Sequence, residues 1–178
     1  MTRLAVLDVN VLVALFDPNH IHHEVARRLA AFRASGHHVN PGMTDPDITR
    51  LRDFASRYTA AWCGQNAASV AAFFAPAGSL KVNDNAPAVG REAITETAQG
   101  FMTAFPDMQV LMDDIAIQGE GVLYRWTLVG TNTGPGGTGR MVRISGFEEW
   151  RIGADGLIQE SSGHFDSEDY QRQLDGRQ

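Results

Sequence analysis

Residues 108–166 read MQVLMDDIAIQGEGVLYRWTLVGTNTGPGGTGRMVRISGFEEWRIGADGLIQESSGHFD, and this stretch decides the fold. Its apolar and aromatic residues favour β-strands, and its turns are rich in glycine, asparagine and aspartate. The turns fall at Gly119–Gly121, Asn132–Gly137 and Gly153–Gly156. Connections this short join antiparallel neighbours. The predicted strands are Gln109–Gln118, Val122–Thr131, Gly139–Ile152 and Leu157–Asp166.

The chain between residue 43 and this stretch is patterned mainly as helices. Asp45-Pro46 opens the first, which ends near Gly64, because an acceptor at the cap and proline at the next position favour a helix start. The other predicted elements are the helices Ala67–Ala75, Arg91–Phe105 and Ser167–Leu174 and a short strand at Leu80–Val82. We therefore expect an α+β domain with helices packed on one face of a curved antiparallel sheet.

Length, charge and cysteine content limit the possible functions. The 178 residues suffice for one domain with a sizeable core and a small addition. The net charge of -6 and the lack of a dense basic block argue against a nucleic-acid partner. The apolar run Leu4–Phe16, broken by Asp8 and Asn10, is too short to span a bilayer and has no signal-peptide cleavage pattern. A single cysteine, Cys63, fits a reducing compartment, so we expect a cytoplasmic protein without a membrane partner.

The first 42 residues differ in composition from the rest of the chain. Five of the six histidines lie there, and four arginines outnumber three acids. The pattern predicts a buried strand running into a helical turn over residues 4–16 and a helix over residues 20–34. We interpret His20, His22 and His23 as solvated side chains at the start of this helix.

This segment resembles the start of a PIN-domain toxin ribonuclease. The motifs that carry the resemblance are LDVNVL at residues 7–12, FDP at 16–18 and HHE at 22–24. In that family the first strand delivers an acidic metal ligand, and Asp8 occupies its place. A divalent cation needs several oxygen ligands, and the pattern stops after Ala34. We therefore expect residues 1–42 to be a non-functional fragment with a linker, and residues 43–178 to be the functional domain.

Several short family motifs occur one after another through residues 43–178. They are YTAAW at residues 58–62, GREAI at 90–94, FPD at 105–107, RWT at 125–127, GTNTG at 130–134, DGLI at 155–158 and HFD at 164–166. On these motifs the domain resembles the SnoaL-like branch of the NTF2-like superfamily. The resemblance implies a cone of helices and bent sheet around an apolar pocket, and a homodimer that pairs through its sheets. The sequence departs from the family pattern at two positions. SnoaL-like proteins often have a histidine near the position of Asn132 and a bulky aromatic residue near the position of His164.

Candidate catalytic residues lie at the end of the last predicted strand. Strict alternation places Ile158, Glu160, Ser162, His164 and Asp166 on one face. The resemblance implies that the base is an aspartate just before the terminal helix, which is Asp166. His164 would orient it or donate a hydrogen bond to a developing enolate. The alternative is that Asp166 only caps the following helix, since aspartate is a favoured cap.

The other candidate site residues would line the pocket. They are Tyr58, Trp62, Phe74, Met102 and Arg125. In the second strand, Leu123, Arg125, Thr127 and Val129 share one face and Val122, Tyr124, Trp126 and Leu128 share the other. Arg125 is therefore either a pocket cation or an outward residue paired with Glu148 or Glu149. The helical residues have the spacing of an ordinary core stripe as well as of a cavity wall.

Three functions remain open for residues 43–178, besides a ribonuclease activity of the amino-terminal fragment. One is a cyclase or isomerase in which Asp166 removes a proton next to a carbonyl, with no metal and no cofactor. Another is an epoxide-hydrolase-like enzyme that uses Asp166 with Arg125. The third is a non-catalytic module for ligand binding or dimerisation. In each case we expect an apolar small molecule as the ligand.

Overall fold

The computed structural model describes residues 45–176. The resemblance of residues 1–34 to PIN-domain ribonucleases, the role of Asp8 and the histidines at positions 20, 22 and 23 lie outside these residues. The helices are α1 (Asp45–Cys63), α2 (Ala67–Ala71), α3 (Gly90–Ala104) and α4 (Ser167–Asp175). The strands are β1 (Phe74–Val82), β2 (Ala88–Val89), β3 (Gln109–Gln118), β4 (Gly121–Thr131), β5 (Met141–Ile152) and β6 (Ile158–Phe165).

The six strands form one sheet in the order β2-β1-β6-β5-β4-β3. Strands β3 to β6 make the antiparallel meander that the turn residues predict. Strand β1 runs parallel to β6, which differs from the purely antiparallel sheet expected from the sequence. A parallel pair needs a long connection, and α3 with β3 to β5 lies between these two strands along the chain.

The start of β1 is a correction to the sequence prediction. A helix was expected to continue to Ala75, but α2 ends at Ala71 and the strand begins at Phe74. Ile158 donates its backbone N–H to the Phe73 carbonyl over 2.9 Å, and Phe74 pairs with Ile158. Pairing with β6 thus satisfies backbone groups that a longer helix would have used, and tertiary pairing overrides the local helical pattern.

The helices cover one face of the sheet, called here the inner face. In β4 this face carries Tyr124, Trp126 and Leu128, and the opposite, outer face carries Arg125 and Thr127. The division of β4 into two faces is confirmed. The core joins inner-face side chains to Leu51, Ala55, Tyr58, Trp62, Ile94, Ala98 and Met102 of the helices. The expected α+β architecture is confirmed.

An extra residue in β6 shifts its alternation. Ile152 of β5 pairs with Ile158, whereas the preceding Arg151 pairs with Glu160, so Gln159 forms a β-bulge. Ile158 is therefore fully buried in the core although Glu160 is exposed. The predicted single face from Ile158 to Asp166 is wrong for this reason. Beyond the bulge, Ser161, Gly163 and Phe165 are the inner residues.

Candidate functional site

A cavity of about 60 Å³ lies between the inner face and the helices. It is lined by Trp62, Leu80, Val82, Phe101, Val110, Tyr124, Trp126, Leu128, Ile144, Glu148, Gly163 and Phe165. All but a few of these side chains are apolar or aromatic, so the cavity suits a compact, mainly apolar molecule. Gly163 has no side chain, which leaves space at the wall formed by β6.

Glu148 is the only carboxylate that lines this cavity within residues 45–176. It is on the inner face of β5, and its residue is 7 % exposed. Its Oε2 accepts hydrogen bonds from Trp150 Nε1 at 2.8 Å, from Ser161 Oγ at 2.7 Å and from the Tyr58 hydroxyl at 3.1 Å. Its Oε1 lies 3.4 Å from the Tyr58 hydroxyl. Oε2 is thus fully engaged, and Oε1 is the oxygen with spare acceptor capacity.

Burial dominates the electrostatics of this carboxyl. Loss of hydration raises the pKa of Glu148 above its ordinary value, and the donors Trp150, Ser161 and Tyr58 offset part of that rise. Burial also raises the pKa of the Tyr58 phenol well above its ordinary value, and the charge of Glu148 adds to that effect. Tyr58 therefore stays protonated and acts as a donor toward Glu148.

Aromatic side chains hold the donors of Glu148 in place. The Tyr124 ring stacks on the Trp150 indole with centroids 4.6 Å apart, and Tyr58 meets Trp150 edge-on at 5.1 Å. Thr59 shares a 2.7 Å hydrogen bond with the Tyr124 hydroxyl. Such packing fixes side-chain rotamers, so Glu148 sits in a preorganised setting.

The predicted pocket residues occupy different places. Trp62 lines the cavity, and Tyr58 is buried behind it and bonds to Glu148. Phe74 and Met102 are buried in the core but are not among the lining residues. Arg125 lies on the outer face, opposite Phe147 of β5, because it alternates with the inward Tyr124 and Trp126. A pocket role for Arg125 therefore finds no support in this geometry.

The predicted catalytic pair also lies away from the cavity lining. Asp166 is exposed, and its Oδ1 accepts a 2.9 Å hydrogen bond from the Asp169 backbone N–H as the cap of α4. His164 is half-buried on the outer face, with Nε2 3.7 Å from Glu149 Oε2 and its ring 5.0 Å from that of Phe147. The geometry supports the capping interpretation of Asp166. Catalysis by Asp166 and His164 stays a prediction.

Asn132, where the sequence departs from the family pattern, organises a loop. Its Oδ1 accepts from the Thr138 backbone N–H at 2.8 Å, and its Nδ2 donates to the Ala104 carbonyl at 3.3 Å. The side chain is buried and ties the β4–β5 connection to the end of α3. It therefore supports the fold and does not line the cavity.

Sequence reasoning treated Glu148 only as an outward partner for Arg125. The signal that finds it is the alternation of Val142, Ile144, Gly146, Glu148 and Trp150 along β5. Four of these positions carry apolar residues or glycine, which marks their shared face as the buried one. An acid on such a face is rarely placed without a partner or a function.

Residues 45–176 hold neither a cluster of metal ligands nor a membrane-spanning helix. No cluster of three or more His, Cys, Asp or Glu side chains within that range could hold a metal ion. Within the same range, no helix combines the length and the hydrophobicity that a membrane span requires.

The comparisons with known proteins agree with this architecture. The model of the SnoaL-like polyketide cyclase family matches residues 52–174. The chain therefore belongs to the SnoaL-like polyketide cyclase family. The match includes none of residues 1–34, and their resemblance to PIN-domain ribonucleases gains no support. No curated protein matches significantly.

Solved structures show the same fold at low sequence identity. A candidate SnoaL-like polyketide cyclase from Jannaschia sp. CCS1 is 19% identical with a TM-score of 0.64, covering 78% of this chain and 97% of its own. A hypothetical protein of ketosteroid isomerase-like fold from Catenulispora acidiphila DSM 44928, in complex with trimethylamine, is 17% identical with a TM-score of 0.62, covering 69% and 92%. The epoxide hydrolase/cyclase-like enzyme SalBIII, from pyran ring formation in salinomycin, is 15% identical with a TM-score of 0.60, covering 69% and 95%. The NTF2-like fold expected from the sequence is confirmed.

Proposed function

We propose that this protein binds a compact, mainly apolar carbonyl compound in the cavity and transfers a proton at the carbon next to the carbonyl. Glu148 is the group that takes and returns the proton. The observation that carries the proposal is a buried carboxyl on the wall of an otherwise apolar cavity. Burial that raises the pKa of Glu148 makes its carboxylate a stronger base.

The two oxygens of Glu148 have different tasks in this scheme. Oε2 is held by Trp150, Ser161 and Tyr58, which fixes the carboxyl group. Oε1 takes the proton from the carbon, and the electron pair of the broken C–H bond moves onto the carbonyl oxygen to give an enolate. The carboxylic acid then returns the proton to another carbon in an isomerisation. In a ring closure of aldol type, it returns the proton to the new alkoxide.

The family assignment supports this reaction class. The family model is described as a polyketide cyclase, and similar folds include a ketosteroid isomerase-like protein and an epoxide hydrolase/cyclase-like enzyme. The epoxide-hydrolase alternative used Asp166 with Arg125, and neither residue is among the cavity lining. Proton transfer by Glu148 is therefore the reaction that the geometry favours.

A non-catalytic binding module is the second candidate. The observation that favours it is the full engagement of Glu148 Oε2 by three donors, as in a purely structural carboxylate. In that case the cavity would bind an apolar ligand without exchanging its protons. The homodimer implied by the family resemblance stays a prediction, which light scattering of the purified chain would test.

Deuterium exchange separates the two candidates without knowledge of the natural substrate. Cyclohexanone is incubated with the full chain in D₂O, and loss of its α-proton signals is followed by NMR. We expect acceleration by the wild type and a loss of about 100-fold or more in Glu148→Gln. Glutamine keeps an oxygen for the three donors but cannot take a proton.

Glu149→Gln is the matched control, because Glu149 is the next residue and lies on the outer face. It should exchange protons at the wild-type rate. A loss in Glu149→Gln but not in Glu148→Gln would move the activity to the outer face, near His164 and Asp166. Binding of cyclohexanone without accelerated exchange would support the binding module.

A further inference from the structure

Trp126 carries a buried polar atom whose hydrogen-bonding capacity is not used within residues 45–176. Its indole lines the cavity, and its Nε1 is buried without a hydrogen-bond partner among the residues of 45–176. The other indole of the sheet, Trp150, donates its N–H to Glu148 over 2.8 Å. A buried donor without an acceptor is unfavourable, so most are paired with protein or with a bound molecule.

Gly146 makes room for the Trp126 indole. These two residues are opposite each other in the β4–β5 register. A Cβ at Gly146 would lie 2.5 Å from Trp126 Cζ2 and 2.5 Å from the His164 carbonyl oxygen. The indole therefore lies across the bare backbone of β5 and approaches Phe165 of β6, with ring centroids 6.3 Å apart. Its position at the cavity wall is fixed by this packing.

Trp126 and Glu148 are diagonal neighbours on the inner face. Glu148 is two residues beyond Gly146 along β5 and pairs with Tyr124. Diagonal side chains on antiparallel strands start about 7 Å apart, a span that a single small ring can bridge. A ligand held between these two side chains would therefore lie near a donor on β4 and a carboxyl on β5 at the same time.

We propose that Trp126 determines ligand specificity by donating its Nε1–H to an acceptor oxygen, such as a ketone, on a compact and otherwise apolar molecule. The inference rests on the proposed function in that the ligand occupies the same cavity. The inference assigns to one atom, Trp126 Nε1, the polar contact that the apolar lining residues do not supply. Hydrocarbons of the same shape leave that donor unpaired and bind more weakly.

The test compares two probes of similar shape, cyclohexanone and methylenecyclohexane, which differ in one oxygen. Their affinities are measured by NMR titration of the full ¹⁵N-labelled chain and of Trp126→Phe. We expect the wild type to prefer the ketone by about fivefold, as for one neutral hydrogen bond, and the variant to lose that preference. The alkene should bind both proteins within about twofold of each other.

The wild-type indole signals provide a second readout that needs no affinity measurement on a variant. We expect the Trp126 Nε1–H signal to move downfield with cyclohexanone and not with methylenecyclohexane. The Trp150 signal serves for comparison because its N–H is already donated to Glu148. Trp126→Phe and Trp150→Phe assign the two signals.

Two failures are distinguishable. Equal affinities for the two probes in the wild type, or an unmoved Trp126 signal at saturating ketone, overturn the donor role and leave ligand binding in place. Failure of both probes to bind overturns this inference together with the proposed function.

Discussion

Trp150 and Glu148, two residues apart on the inner face of β5, are joined by a 2.8 Å hydrogen bond from the indole Nε1 to the carboxylate Oε2. The strand therefore carries both the acid and one of its supporting donors. Ser161 on β6 and Tyr58 on α1 complete the set. Side chains from three elements, β5, β6 and α1, thus donate hydrogen bonds to one buried carboxylate.

The stability of the fold should depend on pH through Glu148. Its pKa is raised in the folded state by burial, so above the ordinary value of 4.5 the folded chain holds a proton that the unfolded chain has lost. The free energy of unfolding contributed by this group falls as the pH rises through that window, up to the folded pKa. Glu148→Gln has no ionisable group at this position and therefore lacks this pH-dependent contribution to the free energy of unfolding. We expect the wild type to lose stability relative to the variant as the pH rises above 4.5, measured by urea unfolding. Parallel curves for the two proteins would contradict the prediction.

Loss of a single donor to Glu148 should be measurable. Ser161→Ala removes the hydroxyl that bonds to Oε2 at 2.7 Å in a buried setting. We expect the free energy of unfolding to fall by about 1–3 kcal/mol. Ser162→Ala, on the outer face of the same strand, is the control and should change it by less than about 0.5 kcal/mol. Similar losses in both variants would show that the hydrogen bond is not the cause.

Asp166 can be tested as cap and as base with two substitutions. Asp166→Ala removes the acceptor at the start of α4 and should lower the free energy of unfolding by about 1 kcal/mol. Asp166→Asn keeps a capping oxygen and should retain both stability and ketone proton exchange, because the side chain is exposed and engaged with Asp169. A stable Asp166→Asn protein that no longer exchanges protons would restore Asp166 as the base.

Residues 1–42 should be dispensable for folding of the remainder. The core formed by the described residues runs from Leu51 to Leu174, and the family match spans residues 52–174. A chain that starts at Met43 should therefore melt cooperatively within a few degrees of the full chain, as followed by circular dichroism. Loss of cooperative melting would show that the first 42 residues contribute to the core.

Local sequence signals predicted the elements well where turn and cap chemistry is strong. The Asp155-Gly156 and Gly119–Gly121 turns separate strands as expected, and the helix predicted to open at Asp45-Pro46 is α1, Asp45–Cys63. The start of β1 was missed, because Phe73 and Phe74 follow a helical pattern and only pairing with β6 makes Phe74 extended. Long-range pairing of this kind leaves no local signal.

The site was harder to predict than the fold. The alternation of β6 fails at Gln159, so His164 and Asp166 were assigned to the pocket face although they follow a bulge. Glu148 was considered only as a partner for an outward Arg125, as was the adjacent Glu149. Only the apolar character of the alternate positions in β5 distinguishes the inward acid from the outward one.

The bulge at Gln159 also has a consequence for protein engineering. Beyond it, odd-numbered positions of β6 point toward the cavity and even-numbered positions point away from it. A mutant library restricted to positions 163 and 165 would therefore redesign the cavity wall without altering the external surface. Deleting Gln159 would remove the bulge. Either Ile158 would then leave the core, or the inward and outward positions of β6 would exchange places.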